Sequence, residues 1–269
     1  MLANREFSYP ITAAWLSGKT GSFYSSINQL ISDDMKIVSA EDPVEIEVPG
    51  VSQMSANPRA GILLQDLIHA ALRADPDVLM IGEIRDEITA DLAARVARSD
   101  HLVLTSMHSK KAHHALQRLR QMTKDISIAD FPPTFIFSQR LARRLCSECS
   151  QTMEPSANEQ RMIKWVTEHN GLDVALLGSN FRAAVGCEQC KQGYKGRVGC
   201  YESLVLDRAT RELLKGSPSE EELWRAANAG GTISLEFNLI RKVSQGLSTL
   251  DEFYRITDFN SDDWNEDLA

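Results

Sequence analysis

The stretch Arg73-Ala-Asp-Pro-Asp-Val-Leu-Met-Ile-Gly-Glu-Ile-Arg-Asp86 places a short apolar run between two charged turns. The run, Val78–Ile81, is too short for a helix, and its position between turn signals is typical of a strand buried on both faces of a parallel sheet. Glu83 follows this strand directly, and open parallel α/β sheets bind ligands beyond the carboxyl ends of their strands. An acid here suits the binding of magnesium or the polarisation of water in nucleotide hydrolysis. The alternative is a solvated carboxylate at a strand end.

The composition limits the function classes. The chain has 269 residues, 43% of them hydrophobic, which is enough for one large domain or two smaller ones. We expect no transmembrane helix, because no apolar run approaches ~18 residues. We expect no secretory signal either, because the first thirty residues contain no apolar segment followed by a cleavage site. The net charge of −8, from 29 basic and 37 acidic residues, argues against a nucleic-acid partner.

The amino-terminal part contains a partial phosphate-loop pattern. Ser17-Gly18-Lys19-Thr20 matches the end of GxxxxGK[ST], in which backbone N–H groups surround phosphates, the Lys reaches the terminal phosphates and the hydroxyl meets the metal. Ala13 and Leu16 replace two expected glycines, and a Cβ obstructs the close approach of the backbone to a phosphate. Helical spacing of apolar residues over 23–32 predicts the helix that would follow such a loop.

A second group of acids follows another predicted strand. Residues 35–40 are expected to form this strand, and the turn after it contains Glu41, Asp42 and Glu45 around a proline. These carboxylates repeat the placement of Glu83, so we expect all of them at the same edge of the sheet. A solvated turn is the alternative.

Alternating strands and helices predict an α/β layer fold. A third buried strand is expected at 102–105, between His101 and His108, and His108 stands beyond its carboxyl end, where it could contact a terminal phosphate. Either histidine could instead have only a structural role. Helices are predicted over 61–73, from Asp86 or Thr89 to about 98, and over 110–122, 134–145, 204–214, 219–229, 235–243 and 250–256.

Two CxxC pairs predict a metal site. Cys146 and Cys149 precede Cys187 and Cys190, and this arrangement in a chain of cytosolic appearance favours a tetrahedral structural zinc site over disulfides. A small helix near 156–170 is expected to fill the long span between the pairs. Buried free thiols are the alternative, and we assign the fifth cysteine, Cys200, to packing.

Four motifs in order carry a resemblance that covers residues 36–257. The chain resembles the secretion and type IV pilus assembly ATPases, the motors of type II secretion and pilus extension, and its cysteines indicate the assembly branch rather than the retraction branch. The segments that resemble the family are 39–45 (Asp box), 72–86 (Walker B region), 101–108 (His box), and 139–146 with 193–202 (the two flanks of the tetracysteine motif).

The resemblance implies a RecA-like P-loop ATPase core that uses ATP and Mg²⁺ and works as a hexameric ring, followed by a Zn²⁺-binding insertion and a helical region. It implies a motor that pushes an inner-membrane platform protein, and therefore a cytoplasmic protein peripherally associated with that membrane. The implied domains are an ATPase core over 1–145, a zinc subdomain over 146–203, a helical region over 204–257 and an acidic tail over 258–269.

The resemblance also implies roles for individual residues. Glu83 would polarise the attacking water. The implied phosphate and magnesium ligands are Ser17, Gly18, Lys19 and Thr20, and the residues implied near the metal and the γ-phosphate are Glu41, Asp42 and Glu45. His101 and His108 would couple the phosphate state to motion, with help from Arg73 and Arg85.

Departures from the family pattern leave two hypotheses open. Besides Ala13 and Leu16, Asp100 stands where the family has Gly, and the family's N-terminal domain has no counterpart, so we expect a truncated copy, a fragment, or a product of a frame disruption. The first hypothesis is an ATPase subunit of a pilus or secretion motor. The second is a catalytically impaired homologue that acts only as a zinc-bearing interaction module. We expect weak or no ATP hydrolysis from the purified chain.

Overall fold

A computed structural model describes residues 9–10, 19–99, 101–109, 111–123, 135–257 and 259, and for residues 9–10, 19 and 20 it describes the backbone alone. The strands are β1 Tyr9–Pro10, β2 Ile37–Glu41, β3 Val51–Ser55, β4 Val78–Ile81, β5 Leu102–Thr105, β6 Phe135–Leu145, β7 Gln151–Thr152, β8 Arg182–Ala183 and β9 Tyr194–Val205. The helices are α1 Lys19–Leu30, α2 Leu64–Arg73, α3 Glu87–Ala97, α4 Ala112–Met122, α5 Ala157–His169, α6 Arg208–Leu214, α7 Glu220–Ala229, α8 Leu235–Ser244 and α9 Leu250–Thr257.

The chain divides into two compact units that alternate along the sequence. Unit 1 comprises residues 1–138 and 203–232, and unit 2 comprises residues 139–202 and 233–269. The region predicted to be one helical domain, 204–257, therefore contributes to both units. The predicted acidic tail, 258–269, lies outside the described residues except for Phe259.

Unit 1 is built on a five-stranded parallel sheet in the order β1-β5-β4-β2-β3. Strand β4 is buried along its whole length because its two sides face two apolar clusters. Leu79 and Ile81 belong to the cluster that includes side chains of α2, α3 and α4, whereas Val78 and Met80 belong to the cluster that includes side chains of α1. Successive side chains of a strand point to opposite faces of the sheet. Because both faces of β4 are covered by an apolar cluster, the run is apolar at every position.

Several predicted elements are confirmed. The strands at 78–81 and 102–105 have the predicted bounds, and the helix over 110–122 corresponds to α4. Asp86 caps α3 by accepting a hydrogen bond from the backbone N–H of Thr89, as one of the two suggested helix starts requires. The insertion helix predicted near 156–170 is α5, and Cys200 is buried in an apolar cluster.

The helix predicted over 134–145 is wrong, because residues 135–145 form strand β6. The aromatic and β-branched run Phe135, Ile136, Phe137 alternates between partly buried and buried positions, which favours a strand. The arginines and leucines after it are compatible with either structure. The pairing of β6 with β9, a segment distant in sequence, decides between them.

The helix predicted over 204–214 starts too early. Leu204 and Val205 end strand β9, and α6 begins at Arg208 after Asp207, whose carboxylate accepts a hydrogen bond from the backbone N–H of Thr210. Strand β3 was not predicted. No helix among the described residues is long and apolar enough to cross a membrane.

Unit 2 contains a buried carboxylate held by two arginines. The side chain of Glu252, on α9, is 0% exposed in an otherwise apolar cluster. Its Oε1 accepts hydrogen bonds from Nε of Arg143 at 2.7 Å and Nε of Arg255 at 2.6 Å, and its Oε2 accepts one from the backbone N–H of Arg143 at 2.7 Å. Burial alone would raise the pKa of Glu252, but the hydrogen bonds from Arg255 and Arg143 lower it to about 2.

Glu252→Gln is expected to destabilise unit 2 by up to about 3 kcal/mol at pH 7, and by less where solvent screens the partly exposed arginines. The folded-state pKa lies below the ordinary value of 4.5, so the stabilisation is present above about pH 4.5 and is lost as the pH falls towards 2. Urea unfolding of both proteins at several pH values measures this, with Asp251→Asn, an exposed neighbour on α9, as the control. A difference that did not shrink on acidification would contradict the assignment.

Candidate nucleotide and metal sites

The carboxyl ends of three neighbouring strands bring the predicted residues of unit 1 together. Ala40, Ile81 and Thr105 are in register across β2, β4 and β5, so the residues that follow them leave the sheet at one edge. The backbone N–H of Gly82 donates to the carbonyl of Ala40 at 2.9 Å. The hydroxyl of Ser106 donates to the carbonyl of Gly82 at 2.7 Å. These two hydrogen bonds connect the carboxyl ends of β2, β4 and β5.

The absence of a side chain at Gly82 eases a close approach at this crossing. A Cβ at this position would lie 3.3 Å from Cα of Glu41 and 3.6 Å from the carbonyl oxygen of Ala40. The 3.6 Å distance is an ordinary contact, but the 3.3 Å distance is tight, and the backbone atom concerned cannot rotate away as a flexible side chain can. The missing side chain therefore lets the segment that carries Glu83 run directly beside the exit of β2.

Glu83 is the centre of a charged cluster at this edge. Its side chain is 14% exposed, and its Oε1 lies 2.6 Å from Nε2 of His108. Arg85 donates from Nε to Oε2 of Glu83 at 3.1 Å and from a terminal nitrogen to Oδ2 of Asp42 at 3.1 Å. Residues from three strand ends, β2, β4 and β5, thus meet around two carboxylates. Glu83 is therefore not an isolated solvated carboxylate, and its catalytic role stays a prediction.

Glu41 forms a buried layer behind this cluster. It is 4% exposed, and its carboxylate accepts hydrogen bonds from the hydroxyls of Tyr24 and Ser39, each at 2.7 Å, and from the amide of Gln53 at 3.1 Å. Three donors compensate the loss of hydration that burial imposes on the carboxylate. Burial, together with the hydrogen bond to Glu41, raises the pKa of Tyr24 to about 12.

A cleft of about 190 Å³ opens at this edge of the sheet. Glu41, Asp42, Glu45, Glu83 and Arg85 all line it. Magnesium is commonly bound through one or two carboxylates together with substrate phosphates. The donor set at this cleft fits that chemistry, because Asp42 and Glu45 are exposed and Glu83 is partly exposed.

Two predicted residues lie away from this cluster. His101 precedes β5, and its Nδ1 donates to the carbonyl of Pro76 at 2.8 Å at the amino end of the sheet. Arg73 is the last residue of α2, exposed, and five residues before β4 begins. The sheet therefore separates both residues from Glu83, and their proposed roles stay predictions.

The predicted phosphate loop is described only in part. Ser17 and Gly18 lie outside the described residues. Lys19 and Thr20 begin helix α1. Residues 11–18 connect β1 to this helix. This order of strand, connection and helix is the one that a phosphate loop uses.

Sequence reasoning missed the residues that support Glu41. Tyr24 belongs to the helix predicted over 23–32 but was assigned no role, and Gln53 lies on the strand that was not predicted. No motif marks either residue. Their only sequence signal is indirect: a buried carboxylate after a strand needs donors from neighbouring elements.

The four cysteines of the CxxC pairs converge in unit 2. The Sγ atoms of Cys146 and Cys187 are 3.9 Å apart, those of Cys149 and Cys190 are 3.7 Å apart, and those of Cys187 and Cys190 are 3.6 Å apart. Zn–S bonds of about 2.3 Å in a tetrahedron place the sulfurs about 3.8 Å apart. The observed distances fit a zinc ion.

Backbone N–H groups donate hydrogen bonds to two of the four sulfurs. The backbone N–H of Gly186 donates to Sγ of Cys149 at 3.3 Å, and that of Cys187 donates to Sγ of Cys190 at 3.2 Å. Desolvation alone would raise the pKa of Cys190, but hydrogen bonds from backbone N–H groups and from the neighbouring thiols lower it to about 7. Without a metal ion the pKa of Cys149 is raised instead, to about 12, mainly by desolvation, so the four thiols do not all favour the thiolate form by themselves. Four protein ligands leave no open coordination position, so a zinc ion here would be structural.

Comparison with known proteins agrees with this geometry. Residues 2–255 match the family model described as type II/IV secretion system protein. The type IV pilus assembly ATPase PilB of Pseudomonas aeruginosa is 36% identical over 248 residues, 92% of this chain and 43% of that protein. The type II secretion system ATPase E of Vibrio cholerae is 32% identical over 248 residues, 92% of this chain and 48% of that protein. The chain thus spans less than half the length of these relatives.

Solved structures show the same fold. The pilus retraction motor PilT with bound ADP has a TM-score of 0.66 at 22% identity, over 96% of this chain and 64% of that one. The ATPase DotB of Legionella pneumophila has a TM-score of 0.65 at 23% identity, over 95% of this chain and 61% of that one. These likenesses and the parallel sheet confirm the predicted RecA-like α/β class. The extent of the family match shows that this chain belongs to the type II/IV secretion system protein family.

Proposed function

We propose that the chain is the nucleotide-hydrolysing part of a motor subunit that powers type IV pilus assembly or type II protein secretion. The observation that carries this proposal is the contact of Glu83 with both His108 and Arg85 at the carboxyl edge of the sheet. Family membership supports it, because relatives with these two functions match 92% of the chain.

The geometry suggests a different role for each of three charged side chains at this edge. Glu83 is only partly exposed and lies next to an imidazole nitrogen, so it can accept a hydrogen bond from a water molecule and orient it. His108 touches the same carboxylate and is suited to report a change at the terminal phosphate to the segment that follows β5. Arg85 holds Glu83 and Asp42 in a fixed relation.

Magnesium, when bound with ATP, would neutralise charge on the phosphates. Asp42 is the residue that would hold it, directly or through water, and Glu83 would act on the attacking water. Glu45 lies at the rim of the same cleft and would add negative potential there. Glu41 is committed to its three donors, so its role is to fix the exit of β2 rather than to contact the ion.

The assembly and the partners belong to the same proposal. We expect a hexameric ring, an inner-membrane platform protein as the partner, and a cytoplasmic location at that membrane. Zinc at the four cysteines would stabilise unit 2. The second candidate, an impaired homologue acting as a zinc-bearing interaction module, is supported by Ala13 and Leu16 in the phosphate loop.

Binding of a non-hydrolysable ATP analogue to the full chain tests the proposal. Calorimetric titration should show binding that is at least about 10-fold tighter with Mg²⁺ than with EDTA, because the ion links phosphates to carboxylates. Lys19→Ala should weaken binding by about 10-fold or more, and Lys164→Ala, an exposed lysine of α5, should not. The absence of binding at millimolar nucleotide with Mg²⁺ would reject the motor function and leave the interaction module.

A further inference from the structure

Two histidines and a glutamate of unit 1 converge at a second place. Nε2 of His113 and Nε2 of His114 each lie 2.8 Å from Oε1 of Glu220. One ligand atom from each of the three side chains lies within 4.8 Å of the other two. None of these residues contributes to the cleft beside Glu83, so they form a separate group, which we call the His–His–Glu cluster.

Helix geometry brings these residues together. His113 and His114 lie in the first turn of α4, and Glu220 is the first residue of α7. The position of Glu220 is fixed because Ser219 caps α7: its hydroxyl accepts from the backbone N–H of Glu222, and the carboxylate of Glu222 accepts from the backbone N–H of Ser219. Glu220 therefore faces α4 from a well-defined helix start.

The cluster has one rigid member and two accessible ones. The side chain of His113 is 7% exposed, and its ring contacts that of Trp224 edge to face, with centroids 6.4 Å apart. The side chains of His114 and Glu220 are 38% and 54% exposed. His113 is thus held in place by packing against Trp224. His114 and Glu220 are open to solvent, so an ion and water can reach the cluster.

The geometry points to a binding site for a divalent transition-metal ion such as Zn²⁺, Co²⁺ or Ni²⁺, held by His113, His114 and Glu220. Two imidazoles and one carboxylate are a donor set that zinc uses with water in the fourth position. Metal–ligand bonds of about 2.0–2.2 Å in a tetrahedron place the ligand atoms about 3.3–3.6 Å apart, so each nitrogen would move about 0.5–0.8 Å away from Oε1 of Glu220. Imidazole also suits nickel and cobalt.

An ion at this cluster would join α4 to α7. Arg118, on α4, donates to the backbone carbonyl of His108 at 2.9 Å, so α4 also contacts the segment that touches Glu83. A pure hydrogen-bonded clamp, in which both rings donate to one carboxylate oxygen, is the competing interpretation. The two interpretations differ in one measurable property, the capacity of the chain to take up a second metal ion.

Titration of the zinc-loaded full chain with Ni²⁺ tests the proposal. Ni²⁺ bound beside His113 should quench the fluorescence of Trp224, and the quenching should saturate at one equivalent. His114→Ala and Glu220→Gln should each raise the half-saturating concentration at least about 10-fold. His114 is partly exposed, so its replacement leaves the buried His113 and the fold in place even if His113→Ala does not fold.

Three controls make the result specific. Trp224→Phe should remove most of the quenching while metal uptake, measured by elemental analysis, continues. Glu221→Gln changes the same charge one residue along α7, and His69→Ala removes an exposed histidine of α2; neither should alter the titration. Saturable quenching that is unchanged in His114→Ala and Glu220→Gln, or no uptake of a second ion, would overturn the proposal in favour of the hydrogen-bonded clamp.

Discussion

Glu83→Gln is expected to slow ATP hydrolysis by the chain at least about 100-fold while changing the affinity for Mg²⁺–ATP only slightly. The substitution keeps the shape of the side chain and an oxygen that can accept the hydrogen bond from Arg85. It removes the negative charge that faces His108 and that would polarise the attacking water. The effect should therefore appear in the rate of the chemical step rather than in binding.

Single-turnover measurements suit this test, because protein in excess over labelled ATP reveals even slow hydrolysis. Glu47→Gln provides the matched control, since it removes one exposed carboxylate from the turn after β2 without touching Glu83. Equal rates for Glu83→Gln and the unchanged chain would exclude Glu83 as the polarising acid. Turnover near ~1 s⁻¹, an ordinary enzymatic rate, would separately contradict the expectation of weak hydrolysis.

Cys187→Ser is expected to remove tightly bound zinc and to destabilise unit 2. Structural zinc contributes about 10–16 kcal/mol of binding free energy in zinc-finger peptides at neutral pH, so losing even about 3 kcal/mol of this would lower the melting temperature of a unit of this size by roughly 10 °C or more. Cys187 is the right position to change because its Sγ lies within 4 Å of those of Cys146 and Cys190.

Elemental analysis and thermal unfolding together measure this effect. We expect one zinc ion per chain to survive desalting through a weak chelator, since four thiolates hold it, and none in Cys187→Ser. Cys200→Ala, which removes the cysteine outside the cluster, should keep the zinc. A metal-free chain with unchanged unfolding would show that the four thiols pack without an ion.

The core of unit 1 is predictable from sequence for a local reason. Val78–Ile81 and 102–105 are short apolar runs between turn signals, and their length of four residues favours a doubly buried strand over a helix. Strand β3 lacks this signal, because Val51–Ser55 is mostly polar and partly exposed and is fixed by backbone pairing with β2. Strand β6 was mistaken for a helix because its partner β9 lies far along the chain.

The candidate site also contains residues that local sequence signals predict and residues that depend on contacts between distant segments. Asp42, Glu83 and His108 could be predicted to meet because each follows a parallel strand, and such strands end at one edge. His101 does not join them because it precedes its strand. The His–His–Glu cluster could not be predicted, since its members are about a hundred residues apart and depend on the packing of α4 against α7.

The interleaving of the two units has a consequence for the order of synthesis. Helices α6 and α7 supply Leu214, Leu223 and Ala227 to the core cluster of unit 1, yet they follow the whole segment 139–202 in the chain. All four cysteines at 146–190 therefore leave the ribosome before the first unit can be completed. The four thiols can therefore meet a metal ion before α6 and α7 have been synthesised and have joined the core of unit 1.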